Sequence, residues 1–409
     1  MGPSERSLPV FRPIASDGLD SPRYSDRLIS PADTVRNIWP HLGQLGITRL
    51  ARQTDLDRVG IPCWAAFRPN SRSLAGAQGK GLSDAAACVS AAMEAVEAAV
   101  AEAPAGMRRV ARAATLSVQG ANWFDPERWL PYGTALDRDQ SISWIAGRGL
   151  ITREPVWVPL DIVDMDGERS DLSGVCKNTN GLASGNSVEE AVFHALCELV
   201  ERDATTLWSF LEEEAALATC IAPEAFADPV IDRLMAQVEA SGMRLRLFDH
   251  TSDLGIPVVM AVLAPDRGGW IGELEVTAGY GAHPNAARAA IRAITEAAQS
   301  RVTLIAASRD DIHSAAFDSA ASRSNLALLY ARPAAPIPNG LPLGTSLPIL
   351  SASIVDSLAR HGVGATVVEL SGPDKPYAVV KVLSADLEDR DANLNWRPGW
   401  RSFDRVALL

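Results

Sequence analysis

Three segments of this 409-residue chain superpose without gaps: SDAAACVSAAMEAVEAA from Ser83, SVEEAVFHALCELVERD from Ser187 and NAARAAIRAITEAAQSR from Asn285. An internal repeat of this kind constrains the fold more than any single motif, because three similar segments must each find a similar neighbour. Each opens with a residue, Ser83, Ser187 or Asn285, whose side-chain oxygen can accept a free amide hydrogen at a helix start. Four and eight residues on, all three carry alanine: Ala87 and Ala91, Ala191 and Ala195, Ala289 and Ala293. Small residues at that spacing form a flat stripe on one helix face and let another element approach closely.

The repeat also carries charge. Eleven residues past the cap stand Glu94, Glu198 and Glu296, and fourteen past it Glu97, Glu201 and Gln299. A separation of three places each pair on one side of its helix, a side that also takes in Ser90 on the first helix and Glu190 and His194 on the second. Glutamates on a helix are ordinarily solvated, and any one pair would be read so. Three such ladders without a matching lysine ladder would repel one another on meeting, and divalent cations between them remove that repulsion. Mg²⁺ suits the oxygen ligands and leaves coordination positions for phosphate and water. Zinc suits them poorly, since the histidines and cysteines show no ligand spacing.

The stretch before the second helix, NGLASGNSVEE, is rich in Gly and Asn and leads to a helix N-terminus, where amides and dipole favour an anion. Its counterpart, SLAGAQGKGLS, holds Lys80, a point charge able to meet a phosphate. Neither matches GxxxxGK[ST]. Both are read as loops. Arg68 and Gln78 are further candidates for phosphate or substrate contact, while Arg49 and Asp57 are candidates for a structural pair.

A formal charge of -12 argues against nucleic-acid and anionic-membrane partners. No uncharged apolar run is long enough for a membrane span, so the expected location is the cytoplasm. The five cysteines show no CxxC pair and read as reduced core residues. Residues 1–30 lack hydrophobic period and are expected to form a flexible leader, with 31–409 as a single domain. Ser30 or Asp33 caps a helix through Leu42. Strands are expected at CWAAF (63–67), 156–162, 244–248, 258–263, 365–370 and 378–383. Strands and helices without strict alternation give an α/β fold of the mixed α+β kind.

Taken together, ASGNSVEEAVFHALCELVERDA, QGKGLS with its following helix, and TEAAQSR resemble the YcaO enzymes, with likeness running from about Pro31 through TDLDRVGIP and FRPNSRS to about Leu383. The resemblance implies a YcaO-type domain that uses ATP and Mg²⁺ to phosphorylate a backbone amide oxygen after a nucleophile has added to the carbonyl carbon. Azolines, thioamides or amidines in ribosomally made peptides result. It further implies that Ser90, Glu94 and Glu97 form the first nucleotide-and-metal motif, and Asn186, Glu190, Glu198, Glu201 and Arg202 the second. Glu296 and Gln299 complete the pocket, with Ser184 and Lys80 beside the nucleotide. In that scheme Glu94, Glu97, Glu190, Glu198 and Glu201 hold metal, and Arg202, Glu201 and Gln299 act in catalysis.

Two departures stand out. The family's ExxER reads Glu97–Ala98 here, and the chain ends in RPGWRSFDRVALL rather than in PxPxP. TDLDRVGIP and FRPNSRS look like the subgroup that works beside a TfuA protein, which implies a peptide substrate, a TfuA-like partner and thioamide formation. An azoline-forming cyclodehydratase and a degenerate peptide- or partner-binding protein are the alternatives, and a homodimer is left open.

Overall fold

The computed structural model describes residues 24–307 and 319–407. Three antiparallel sheets organise it. The first runs in the order β1 (Arg49–Arg52), β2 (Cys63–Phe67), β3 (Gly76–Lys80). The largest is β4 (Arg108–Arg112), β5 (Ser141–Gly149), β12 (Thr366–Glu369), β13 (Ala378–Leu383), β7 (Leu182–Gly185), with β6 (Pro155–Pro159) also paired to β5. The third is β11 (Thr277–Ala282), β10 (Val258–Pro265), β9 (Met243–Asp249), β8 (Cys220–Ile221).

The helices are α1 (Pro31–Leu42), α2 (Asp84–Ala101), α3 (Ala113–Val118), α4 (Val188–Trp208), α5 (Glu213–Ala218), α6 (Pro229–Ala240), α7 (Ala286–Ala306), α8 (Arg323–Leu329), α9 (Leu347–Arg360) and α10 (Trp400–Ala407). Helices 2, 4 and 7 are the three repeats, and each starts as its sequence requires. Ser83 accepts from the Ala86 amide, Ser187 from Glu190 and Asn285 from Arg288.

The repeat is larger than the helix alone. Each helix follows the terminal strand of one sheet: β3 before α2, β7 before α4, β11 before α7. The stripe alanines are wholly buried, and they face glycines in those strands. A methyl group placed on Gly79 would lie 2.1 Å from the Ala91 nitrogen and 2.2 Å from the Ala87 oxygen. One on Gly281 would lie 2.2 Å from the Ala289 oxygen, and one on Gly185 2.7 Å from the Ala191 nitrogen. Strand and helix therefore touch backbone to backbone, a spacing that only glycine and alanine permit.

That contact explains why β3 and β7 (GAQGK, LASG) read as loops and why β11 (TAGYGA) is not among the expected strands. Bulky β-formers are excluded from the face that meets the helix. The expected strands at 63–67 and 378–383 fall as read. The stretch 156–162 splits into β6 and a 3₁₀ turn at Leu160–Ile162. The six-stranded sheet and α4 share a core around Phe193, Leu196 and Val380, and the third sheet and α7 share another around Leu247, Val259 and Ile294.

At the other edge of the chain, the end of the expected leader is anchored. Asp26 accepts from Arg288 Nη2 at 2.8 Å, and Arg27 Nη1 donates to Glu190 at 2.7 Å. Asp57 pairs with Arg301 at 3.0 Å, not with Arg49, whose guanidinium lies over the Phe67 ring. All five cysteines are buried and free, and among the described residues no helix is long and apolar enough to cross a membrane.

Candidate active site

Helices α2, α4 and α7 present their acidic sides to one cavity of about 1090 Å³. Its walls include Ser90, Glu94 and Glu97 from α2, Glu190, His194, Glu198, Glu201 and Arg202 from α4, and Glu296 and Gln299 from α7. Lys80 from the end of β3, and Ser184 and Asn186 from the end of β7 and the turn after it, complete the set. Every residue singled out on the acidic side of the repeat therefore reaches the same space.

Hydrogen bonds hold these groups in place. Ser184 Oγ donates to Glu97 at 2.6 Å, the Ala282 amide donates to Glu201 at 3.0 Å, and Lys80 is ion-paired with Glu296. Arg202 stands 4.0 Å from Glu198, one turn back on α4. Glu190 differs from the rest. Its Oε1 accepts from Arg27 at 2.7 Å and from Asn186 at 3.0 Å, and its Oε2 accepts from the Leu28 amide and from Asn186, each at 3.1 Å. Both oxygens of this expected metal ligand are thus taken by protein donors.

Burial, aided by neighbouring like charge, shows in the carboxylates. Burial, with Glu94 and Glu198 nearby, pushes Glu97 up to about 8. Burial and the neighbouring Glu296 also raise Glu201, and burial raises Glu198 against the pull of Arg202 and Lys381. Glu296 goes the other way: burial would raise it, but Lys80, Arg202 and Arg292 outweigh that and hold it below the ordinary range. His194 is kept neutral by burial and by Arg27 and Arg292.

The cavity wall also holds buried nitrogens without acceptors. Nε of Arg202 and of Arg292, and Nε2 of His194, are buried with no hydrogen-bond partner. Arg292 escaped the sequence reading although it stands seven residues past its cap, where α2 has Ser90 and α4 has His194; comparison across the repeats at that position would have found it. Two further wall residues, Arg27 and Asp391, lie outside the repeats and leave no periodic signal. Arg68 lines the cavity but is held by Glu102 at 2.7 Å, and Gln78 is engaged by Thr303.

Buried arginines with an Nε still free of an acceptor suit a polyanion, and carboxylates raised by burial and by neighbouring like charge suit a hard cation. Among the described residues no three His, Cys, Asp or Glu side chains converge closely enough to enclose a metal on their own. A cation here needs further oxygens, which phosphate and water supply.

Comparison with known proteins agrees. The family model described as YcaO cyclodehydratase, ATP- and Mg²⁺-binding, matches residues 78–388. An uncharacterised protein in the tfuA 3′ region of Rhizobium leguminosarum bv. trifolii is 42% identical over 295 residues, covering 70% of this chain and 69% of that protein. An uncharacterised protein of Methanothermobacter thermautotrophicus is 34% identical over 293 residues, 71% of this chain and 74% of its own. Among solved structures, YcaO from Methanopyrus kandleri bound with AMPPCP and Mg²⁺ superposes with a TM-score of 0.67 and 25% identity, covering 89% of this chain and 92% of that one. A heterocyclase in complex with substrate and cofactor gives a TM-score of 0.72 at 22% identity and shares the fold over 89% of this chain, which spans 53% of that protein. The match of family, fold and cavity chemistry is consistent throughout: the chain belongs to the YcaO family, whose ligands are ATP and Mg²⁺.

Proposed function

We propose that this protein uses ATP and Mg²⁺ to activate a peptide-bond oxygen, and that the product is a thioamide in a ribosomally made peptide, formed with a TfuA-like partner. The observation that carries the activation is the convergence on one cavity of three acidic helix faces and of two arginines, Arg202 and Arg292, whose buried Nε atoms have no acceptor. When bound, ATP supplies the phosphoryl group that turns the amide oxygen into a leaving group.

In this assignment Glu94, Glu97, Glu198 and Glu201 hold Mg²⁺, and Ser90, Lys80, Ser184, Asn186 and Glu296 surround the nucleotide. Arg202 and Arg292 offset negative charge on the phosphates, the form of stabilisation that phosphoryl transfer most needs. Glu201 and Gln299 orient the reacting end. Glu190, with both oxygens already bonded, is assigned to hold the N-terminal segment rather than metal.

The thioamide assignment is supported by the relative in the tfuA 3′ region. Azoline formation is the second reading, favoured by the cyclodehydratase description of the family model. Incubating the chain with a precursor peptide, a TfuA-like protein, ATP, Mg²⁺ and sulfide separates them by mass spectrometry. A sulfur-for-oxygen exchange supports the thioamide, and loss of one water gives the azoline. Absence of peptide-dependent phosphate release with every partner combination would overturn both.

A further inference from the structure

Residues 24–28 precede all three repeats, yet four of them line the cavity. Tyr24 donates its hydroxyl to Asp228 at 2.8 Å. Asp26 lies 3.2 Å from His283 Nε2 and accepts from Arg288 Nη2 at 2.8 Å, at the start of α7. Arg27 reaches the start of α4, donating to Glu190 at 2.7 Å and to the Ser184 carbonyl at 3.2 Å, and the Leu28 amide adds a bond to Glu190 at 3.1 Å. Two adjacent residues of opposite charge thus tie the first turns of two repeat helices to one short segment. The partners are well shielded: Glu190 is fully buried, and Asp26 is 8% exposed.

The repeats themselves show what Arg27 contributes. At the fourteenth and fifteenth positions past the cap, α4 has Glu201 followed by Arg202, while α2 has Glu97 followed by Ala98. Both pairs line the cavity, so α2 brings a carboxylate there without its cation. On the α4 and α7 side, Lys80 is ion-paired with Glu296 and Arg202 stands 4.0 Å from Glu198. Arg27 reaches the α2 side: it bonds the backbone of Ser184 at 3.2 Å, and the Ser184 hydroxyl holds Glu97 at 2.6 Å.

We propose that Arg27 is a positioning residue of the nucleotide site: delivered by the N-terminal segment, it fixes Glu190 and Ser184 and supplies, on the α2 side of the cavity, the positive charge that Ala98 does not. This rests on the nucleotide reading above and adds to it a working part from outside the repeats.

The test uses the full-length chain, with Mg²⁺ and AMPPCP titrated calorimetrically and the ligand-free melting temperature measured alongside. Arg27→Ala weakens binding by about tenfold or more, the scale of losing a hydrogen bond to a charged group. In turnover it raises KM for ATP with kcat largely kept. Arg27→Lys, and the double variant Arg27→Ala with Ala98→Arg, recover affinity, because the missing element is charge. Binding by Arg27→Ala equal to wild type would overturn the proposal. So would a loss that neither Arg27→Lys nor the added arginine on α2 recovers, accompanied by a lower melting temperature, since that outcome marks a purely structural clamp. Wild-type protein that binds no Mg²⁺ and AMPPCP at all would instead remove the nucleotide reading itself.

Discussion

Binding of Mg²⁺ and nucleotide should expel protons, and among the metal carboxylates Glu97, raised furthest, contributes the most. Its carboxyl is raised to about 8 by burial and by Glu94 and Glu198, so at pH 7 only about a tenth of the population is ionised. A metal ligand must be ionised, so each binding event at pH 7 releases about one proton from this site. Between about pH 6.5 and 8.5 the ionised fraction of Glu97 climbs from roughly 3% to roughly 75%, and its ionisation alone raises the affinity for Mg²⁺ and AMPPCP roughly twenty-fivefold.

The stability of the ligand-free protein runs oppositely. A carboxyl raised above its unfolded value adds stability that is complete below the ordinary carboxylate range and is lost as pH rises through about 8. The shift corresponds to a few kcal/mol. Calorimetric titration in two buffers of different protonation enthalpy counts the protons, with the nucleotide and Mg²⁺ titrated alone as the blank. No release at pH 7, or the same release from Glu97→Gln, would refute the assignment of Glu97 as a crowded metal ligand.

Three further outcomes follow from other parts of the molecule. Glu198→Ala lowers the affinity for nucleotide in the presence of Mg²⁺, and unchanged binding by calorimetry removes Glu198 from the metal set. Gly281→Ala places a methyl group 2.2 Å from the Ala289 oxygen and destabilises the fold by about 1–3 kcal/mol or more in a urea melt, whereas the same substitution at Gly268, which meets nothing within 4 Å, costs far less. Arg401→Ala leaves Asp203 buried without the guanidinium that now bonds both its oxygens at 2.8 Å; the loss is about 3–5 kcal/mol, and turnover falls because the same C-terminal stretch carries Asp391 into the cavity wall.

The helices and their acidic side were legible because a helix repeats its geometry locally. A cap oxygen, an alanine stripe and a glutamate ladder each have a fixed spacing, and the same three marks appear at Ser83, Ser187 and Asn285. The strands that precede those helices were not legible, since the contact requiring glycine at 79, 185 and 281 removes the residues by which strands are recognised. Arg292 was readable in principle from its place in the repeat. Arg27 was not, because its contacts with Glu190 and Ser184 span more than 150 positions of sequence, a distance over which no periodicity acts. The pairing of Asp57 with Arg301 rather than Arg49 is of the same kind.

The contact of glycine strands with alanine helices has a practical consequence for anyone wishing to redesign this protein. The outline of the cavity is set by main chains pressed together, while its electrical character is set by long side chains that project from them. Form and charge are therefore adjustable separately: exchanging one glutamate or arginine changes what the chamber attracts, and the chamber keeps its dimensions.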